Sequence, residues 1–138
     1  MTRAPHNPIF PEHLSPTIRT KATKDDANPG GDIFGGWLLA QMDLAGGVTA
    51  YGYVRNRVVT VGVEAMSFHQ PVFVGDEIMF FTDVKKVGNT SIRVHISAWV
   101  RRQGINDPFH VTEGLYTFVS VNQNHKPQKI SLTAGEGV

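Results

Sequence analysis

The chain has 138 residues, 41% of them hydrophobic and 18% charged, with a formal net charge of +1. That is room for one core, too apolar for disorder, and too nearly neutral for global attraction to nucleic acid or to an anionic membrane surface. The absence of cysteine excludes disulfides, thiolate nucleophiles and cysteine-based metal sites, and fits a cytoplasmic protein. The opening residues MTRAPHNPIFPEH lack the apolar core of a signal peptide, and no stretch approaches the roughly 20 apolar residues of a membrane span.

Residues 1–15 carry Pro5, Pro8 and Pro11, each fixing φ and removing a backbone donor, which predicts an irregular arm. A short strand is expected within 15–21. From 31 to about 53, Ile33, Phe34, Trp37, Leu38, Met42, Ala45 and Val48 recur at steps of three and four, predicting a long helix. Leu39, Leu44 and Ala50 make it apolar almost all round, so it should be wrapped rather than laid on a surface. Gln41, Asp43 and Thr49 are its polar exceptions.

The pattern then turns to period two. Val59, Val61 and Val63 alternate with Thr60, Gly62 and Glu64 in a first strand; after a turn at Pro71, Gly75 and Asp76, a second carries Ile78, Phe80, Thr82 and Val84. Gly88, Asn89 and Thr90 form a tight turn, because Gly and Asn tolerate positive φ. A third strand sets Ile92, Val94, Ile96, Ala98 and Val100 against Ser91, Arg93, His95, Ser97 and Trp99, and a fourth sets Val111, Leu115 and Val119 against Tyr116, Phe118 and Ser120. The polar stretch 123–138 reads as a loose tail, leaving 16–122 as the single domain. A strand, a long apolar helix and four successive strands joined by short turns imply an antiparallel sheet in an α+β fold. Curling that sheet around one long central helix gives the hotdog arrangement; the pattern also admits other α+β folds.

The segment from Asn28 to Trp37 enters the helix through Gly30, Gly31, Gly35 and Gly36, where backbone can approach a ligand closely. Free amides near Phe34, Gly35 and Gly36 suit a developing oxyanion; equally, Asn28 or Asp32 suits a helix cap. Asp43 follows Gly35 by about two turns, and a carboxylate among apolar neighbours suits a general base or nucleophile. It suits a solvated or subunit-facing position as well. The six histidines show no close metal-ligand spacing, there is no GxSxG elbow, and the GNTS turn is too short for a phosphate loop. Arg55 with Arg57, Lys85 with Lys86, and Arg101 with Arg102 read first as solvated strand ends, and as phosphate contacts should two pairs converge.

The runs NPGGDIFGGWLLAQMDLAGG, RVVTVGVEAMSFHQPVFVGD and KKVGNTSIRVHISAWV closely resemble the YciA-type acyl-CoA thioesterases of the hotdog superfamily, over roughly residues 17–121. The resemblance implies hydrolysis of acyl-CoA to free acid and CoA, with broad acyl tolerance and neither metal nor cofactor, CoA being part of substrate and product. It makes the QMD carboxylate, Asp43, the catalytic group, facing Asn28 and the amides of Gly35 and Gly36 of a partner subunit. It points CoA to the turn of Gly88, Asn89, Thr90 and Ser91 and to the strand after Arg57, with Thr60, Arg93 and the basic pairs, Lys86 among them, as weaker candidates for pantetheine and phosphate contacts. It also implies a homo-oligomer, a dimer through paired sheet edges at minimum and a hexamer as a trimer of dimers. One departure stands out: where the family often reads NANGD, this chain has Asn28, Pro29, Gly30, Gly31 and Asp32, so the second amide side chain is gone and the loop is stiffer. The rival readings are a non-catalytic acyl-CoA-binding hotdog module and a hotdog hydratase, for which no Asp/His motif stands at the helix entrance.

Overall fold

The helix α1 spans Gly35–Val54, starting at Gly35 rather than near Gly31 because the preceding residues are committed elsewhere. Asp32 and Ile33 form isolated bridges with Phe73 and Ala27, and Gly31 turns the chain at φ +97, a conformation that costs a glycine little. The computed structural model describes residues 8–131, the side chains at 65 and 66 excepted. Around the helix lie five strands, β1 Ile18–Lys21, β2 Val58–Phe68, β3 Glu77–Val87, β4 Ser91–Arg101 and β5 Phe109–Ser120. They form one antiparallel sheet in the order β1-β3-β4-β5-β2.

The four later strands are therefore not a simple meander. β2 pairs with β5 at the far edge, so the connection from 69 to 76 must pass the ends of β5 and β4 before β3 begins. A buried ion pair pins this crossover: Arg102 donates through Nε and Nη2 to Asp76 (2.8 and 2.7 Å), and Asp76 accepts the Phe73 amide (2.9 Å). Asp76 raises the pKa of the Arg102 guanidinium, which also stacks over the Phe73 and Phe109 rings, 4.5 and 4.9 Å from their centroids. A charge buried like Asp76 is tolerable only with such a full set of partners.

The inner sheet face carries Ile78, Phe80, Ile92, Val94, Ile96, Ala98, Val100, Tyr116 and Phe118, and packs on Leu38, Met42, Ala45 and Ala50 of α1. Each large apolar side chain buried there contributes about 1.5–3 kcal/mol. Gly46 lets the helix sit so low: a Cβ there would lie 2.7 Å from Ile96 Cδ1 and 2.9 Å from Phe118 Cζ. Thr49, a polar exception on the helix, meets Thr82 (2.6 Å), which also meets Thr17 (2.7 Å), tying α1 to β3 and to the entrance of β1.

Three register shifts, two between β2 and β5 and one between β4 and β5, overturn the simple alternation expected of β2 and β5. Ala98 pairs with Thr112 but Trp99 pairs with His110, so Val111 is extra and turns inward. Val111 therefore lies in the core with Tyr116 and Phe118, while Leu115 and Val119 stay half-exposed. In β2, Thr60 pairs with Phe118 and Gly62 with Thr117, leaving Val61 extra; Thr60 and Val63 then share the face turned to the helix. An inserted residue flips the phase of everything beyond it.

The arm and tail expected at 1–15 and 123–138 lie partly outside the described residues. Within them, Phe10 packs edge-on against Phe81 and Trp99, at centroid distances of 5.6 and 5.2 Å, on the outer sheet face. After β5, Gln128 donates to the Ser120 carbonyl and Ile130 to that of Asn89 (2.7 and 2.8 Å), which buries the Ile130 side chain.

The sheet wraps only one side of the helix. Leu44, Val48 and Tyr51 on the other side are 57%, 53% and 57% exposed, beside the long apolar edge of β2 with Val59, Val61 and Val63. An 11-residue unpaired edge flanked by such a surface is what a partner subunit covers.

Candidate active site

Asp43 projects from the middle of α1 toward β2, half-buried, where Thr60 Oγ1 donates to its Oδ1 at 2.5 Å. The pair stands on the wall shared by two clefts between helix and strand. The smaller, about 380 Å³, runs among Leu39, Ala40, Val63, Phe68 and Tyr116; the larger, about 770 Å³, runs along Leu44, Gly47 and Val48 to Arg55, Asn56 and Arg57. A carboxylate between an apolar pocket and a long groove with cations at its far end is placed to attack one point of an elongated acyl ester or thioester.

Tyr116 is a neighbour that the sequence did not single out. Its hydroxyl donates to the Leu39 carbonyl (3.0 Å), one helical turn before Asp43. Burial pushes that hydroxyl up to about 12, with the negative charge of Asp43 adding to the effect. The signal available in advance was register: a tyrosine inward-facing on β5 must lie against the helix segment that carries the carboxylate.

At the helix entrance, Asn28 Oδ1 accepts the amides of Gly30 (2.9 Å) and Asp32 (3.2 Å). Its side-chain amide donors make no hydrogen bond among the described residues. Phe34 is the N-cap and gives α1 no side-chain cap bond, so the first-turn amides of Gly35 and Gly36 are unclaimed by a cap. A Cβ at Gly36 would meet nothing within 4 Å; packing within the chain does not require that glycine. Along α1, Asp43 lies eight residues beyond Gly35, roughly 12 Å by helical rise. One thioester carbon cannot meet both from the same chain.

Of the remaining sequence candidates, Thr60 belongs beside Asp43. Gly88, Asn89, Thr90 and Ser91 form the β3–β4 turn closed by Gly88 N–H to the Ser91 carbonyl (2.7 Å), and the Thr90 carbonyl accepts from Ser120 (2.9 Å). Because Ser120 pairs with Val58, this turn and Arg57 share one end of the sheet, two strand spacings or roughly 10 Å apart. Lys86 and Arg93 are register partners on the outer face, where Arg93 is ion-paired with Glu64. Arg101 is drawn to Glu77, Arg102 to Asp76 and Lys85 to Asp83. Among the described residues no group of three or more His, Asp or Glu could hold a metal ion, and no helix is long and apolar enough to cross a membrane.

Residues 30–105 match the family model of the thioesterase superfamily, a span that includes Gly35, Gly36, Asp43 and Thr60. The acyl-CoA thioester hydrolase YciA of Salmonella typhimurium is 41% identical over 118 residues, covering 83% of this chain and 89% of that protein. Among solved structures, a hexameric hotdog fold thioesterase of Campylobacter jejuni superposes with a TM-score of 0.82 at 40% identity, covering 91% of this chain and 98% of that one. A hexameric thioesterase from Yersinia pestis gives 0.80 at 38% identity, with 85% and 95% covered. With its curled antiparallel sheet, its single long helix and these relatives, the chain belongs to the thioesterase superfamily of hotdog proteins and, within it, to the YciA acyl-CoA thioester hydrolases.

Proposed function

We propose that this protein hydrolyses acyl-CoA thioesters to a free carboxylic acid and CoA, with Asp43 as the catalytic carboxylate. The observation that carries this reading is the position of the Asp43–Thr60 pair between an apolar pocket sized for an acyl chain and a groove long enough for the pantetheine arm. Asp43 either takes a proton from water as that water adds to the thioester carbon, or adds to that carbon itself to give an anhydride that water then opens. In both routes the C–S bond breaks, one water is consumed to give the free acid and restore the Asp43 carboxylate, and sulfur leaves with a proton as the CoA thiol. Thr60 occupies Oδ1, which leaves Oδ2 to do the chemistry.

The electrophilic half comes from a second copy: its Asn28 side-chain amide and the amides of Gly35 and Gly36 polarise the thioester oxygen as it gains charge. The roughly 12 Å separation along one helix, the open space at Gly36 and the exposed apolar edge of β2 all support a site shared between copies. The assembly is a dimer at minimum, built into a hexamer as in the Campylobacter jejuni and Yersinia pestis relatives. The turn of Gly88, Asn89, Thr90 and Ser91 contacts CoA at the end of the groove; Lys86 and Arg93, on the outer face, reach it only from the rim. No metal or cofactor takes part, since carboxylate and amides supply both halves of the chemistry, and the enzyme works in the cytoplasm. A non-catalytic binding module would have no use for a carboxylate so placed.

The test is thiol release from a panel of acyl-CoAs by wild type and Asp43→Asn at matched folding and assembly. Turnover should fall by more than about a hundredfold, roughly 2.7 kcal/mol in barrier. A fall of less than about tenfold removes Asp43 from the chemistry.

A further inference from the structure

We propose that Tyr116 is a positioning residue for Asp43, pinning to the sheet the helix peptide whose carbonyl accepts the Asp43 amide; this rests on the reading of Asp43 given above. Inside α1 each carbonyl accepts the amide four residues on, so that of Leu39 belongs to Asp43. The Tyr116 hydroxyl donates to the same carbonyl (3.0 Å). A carbonyl oxygen has two lone pairs and can take both donors. A mid-helix carbonyl is already satisfied by its own ladder, so the helix has no need of the second bond for itself.

Packing does not account for the hydroxyl. Phe118, the next inward residue of β5, is buried beside Tyr116 and stacks on it at a centroid distance of 6.3 Å with a plain ring. A second phenylalanine would fill position 116 without desolvating a hydroxyl, a loss that only a well-made hydrogen bond offsets. Tyr51 and Tyr53, by contrast, are exposed. Burial, and after it the charge of Asp43, raises the Tyr116 hydroxyl to about 12, so it stays a donor across the neutral range.

Register brings this bond to the same site as the Thr60 contact. Tyr116 pairs with Val63 of β2, and Phe118 pairs with Thr60, whose hydroxyl holds Asp43 Oδ1. Asp43, Thr60, Val63 and Tyr116 all line the apolar pocket. Two adjacent strands thus grip one carboxylate, β2 through its side chain and β5 through its backbone. The second grip matters because Gly46 and Gly47 follow Asp43 within about one turn, and glycine leaves a helix backbone freer to move. The next tie between α1 and the sheet, Thr49 to Thr82 (2.6 Å), lies beyond those glycines.

Tyr116→Phe keeps the ring and removes the donor. On a panel of acyl-CoAs its kcat should fall about five- to twentyfold, by the same factor at every acyl length, with KM within about threefold of wild type. Thr49→Val cuts the other tie and controls for helix docking alone; its kcat should stay within about twofold of wild type. A Tyr116→Phe kcat within about twofold of wild type overturns the proposal. So does an equal fall in Thr49→Val, or a loss confined to some acyl lengths or carried by KM, which makes Tyr116 a wall of the pocket and nothing more.

A second variant retains the donor. Tyr116→difluorotyrosine has nearly the same shape and a more acidic hydroxyl, so the alkaline limb of kcat should move to lower pH while folding and assembly persist. Among the described residues Asp43 is the titratable group that acts on this hydroxyl, with apolar Val63 and Val94 opposite Tyr116 on the flanking strands. An unmoved limb overturns the proposal even where Tyr116→Phe fails to fold. Turnover that survives Asp43→Asn removes the reading of Asp43 instead, whatever happens at Tyr116.

Discussion

Thr60 reaches Asp43, Oγ1 to Oδ1 at 2.5 Å, because Val61 bulges out of the β2–β5 pairing and turns Thr60 to the helix side. Without the bulge, Thr60 and Val63 would face opposite sides of the sheet. With it, the same strand supplies both the hydroxyl that orients the carboxylate and the apolar wall beside it.

Thr60→Val should therefore lower kcat by roughly ten- to a hundredfold, equivalent to about 1.4–2.7 kcal/mol of barrier, while KM moves by no more than about threefold. Valine keeps the β-branched shape that suits the strand and removes only the donor. Steady-state kinetics on one acyl-CoA decide the matter, and a kcat within about twofold of wild type shows that the carboxylate needs no such anchor.

Tyr116 predicts an alkaline limit to stability. Its hydroxyl is raised from 10.0 to about 12 in the folded chain, first by burial and then by the charge of Asp43. The unfolded chain thus loses this proton first as pH rises. Stability from Tyr116 is complete below pH 10 and is lost progressively as pH climbs through the folded value. Tyr116→Phe should flatten the fall in denaturation midpoint between pH 9 and 11 and remove one late-titrating phenolate from the ultraviolet absorbance. An unchanged absorbance titration contradicts the assignment.

Much of this was legible in the sequence, and the exceptions share a cause. The unbroken alternation of β4 showed its inward face in full, from Ile92 to Val100, and Asp43 was conspicuous on an apolar helix. What could not be read were the single-residue bulges at Val61 and Val111, since one extra residue changes phase without changing composition. The same limit hid Thr60 as the partner of Asp43. The edge position of β2 was equally invisible, because strand order depends on long-range pairing and not on the local pattern. Trp99 falls on the polar side of β4 yet is buried, because Phe10 from a distant segment and His110 of β5 both pack on its ring beside Met79 and Phe81.

An acid limit follows from the outer face. His110 stacks on His69 at a centroid distance of 5.4 Å and lies edge-on to Trp99 at 5.1 Å. Its pKa is lowered chiefly by burial, against the pull of Glu113, with His69 and His95 adding to the lowering. The folded chain resists the proton that the unfolded chain accepts near pH 6.5, so stability declines as pH falls below that value and levels off once folded His110 is protonated too. His110→Gln should make the denaturation midpoint less sensitive to pH between 7 and 5. Identical slopes for variant and wild type remove His110 as the source.

A shared site makes a quantitative demand on mixed assemblies. Asp43→Ala removes the carboxylate. For the other half, Asn28→Asp is the sharper choice than alanine, because an aspartate keeps an acceptor for the Gly30 and Asp32 amides that Asn28 Oδ1 now holds while deleting the side-chain amide that polarises the thioester. Each variant alone should be inactive. When subunits are mixed in equal amounts and exchanged, about half of the dimers pair one of each, and each such dimer has one intact and one doubly broken site. Activity should then return to about a quarter of wild type on the same count. If the carboxylate and the loop of a single chain served together, every site in the mixture would stay broken, and no activity would return however completely the subunits exchanged.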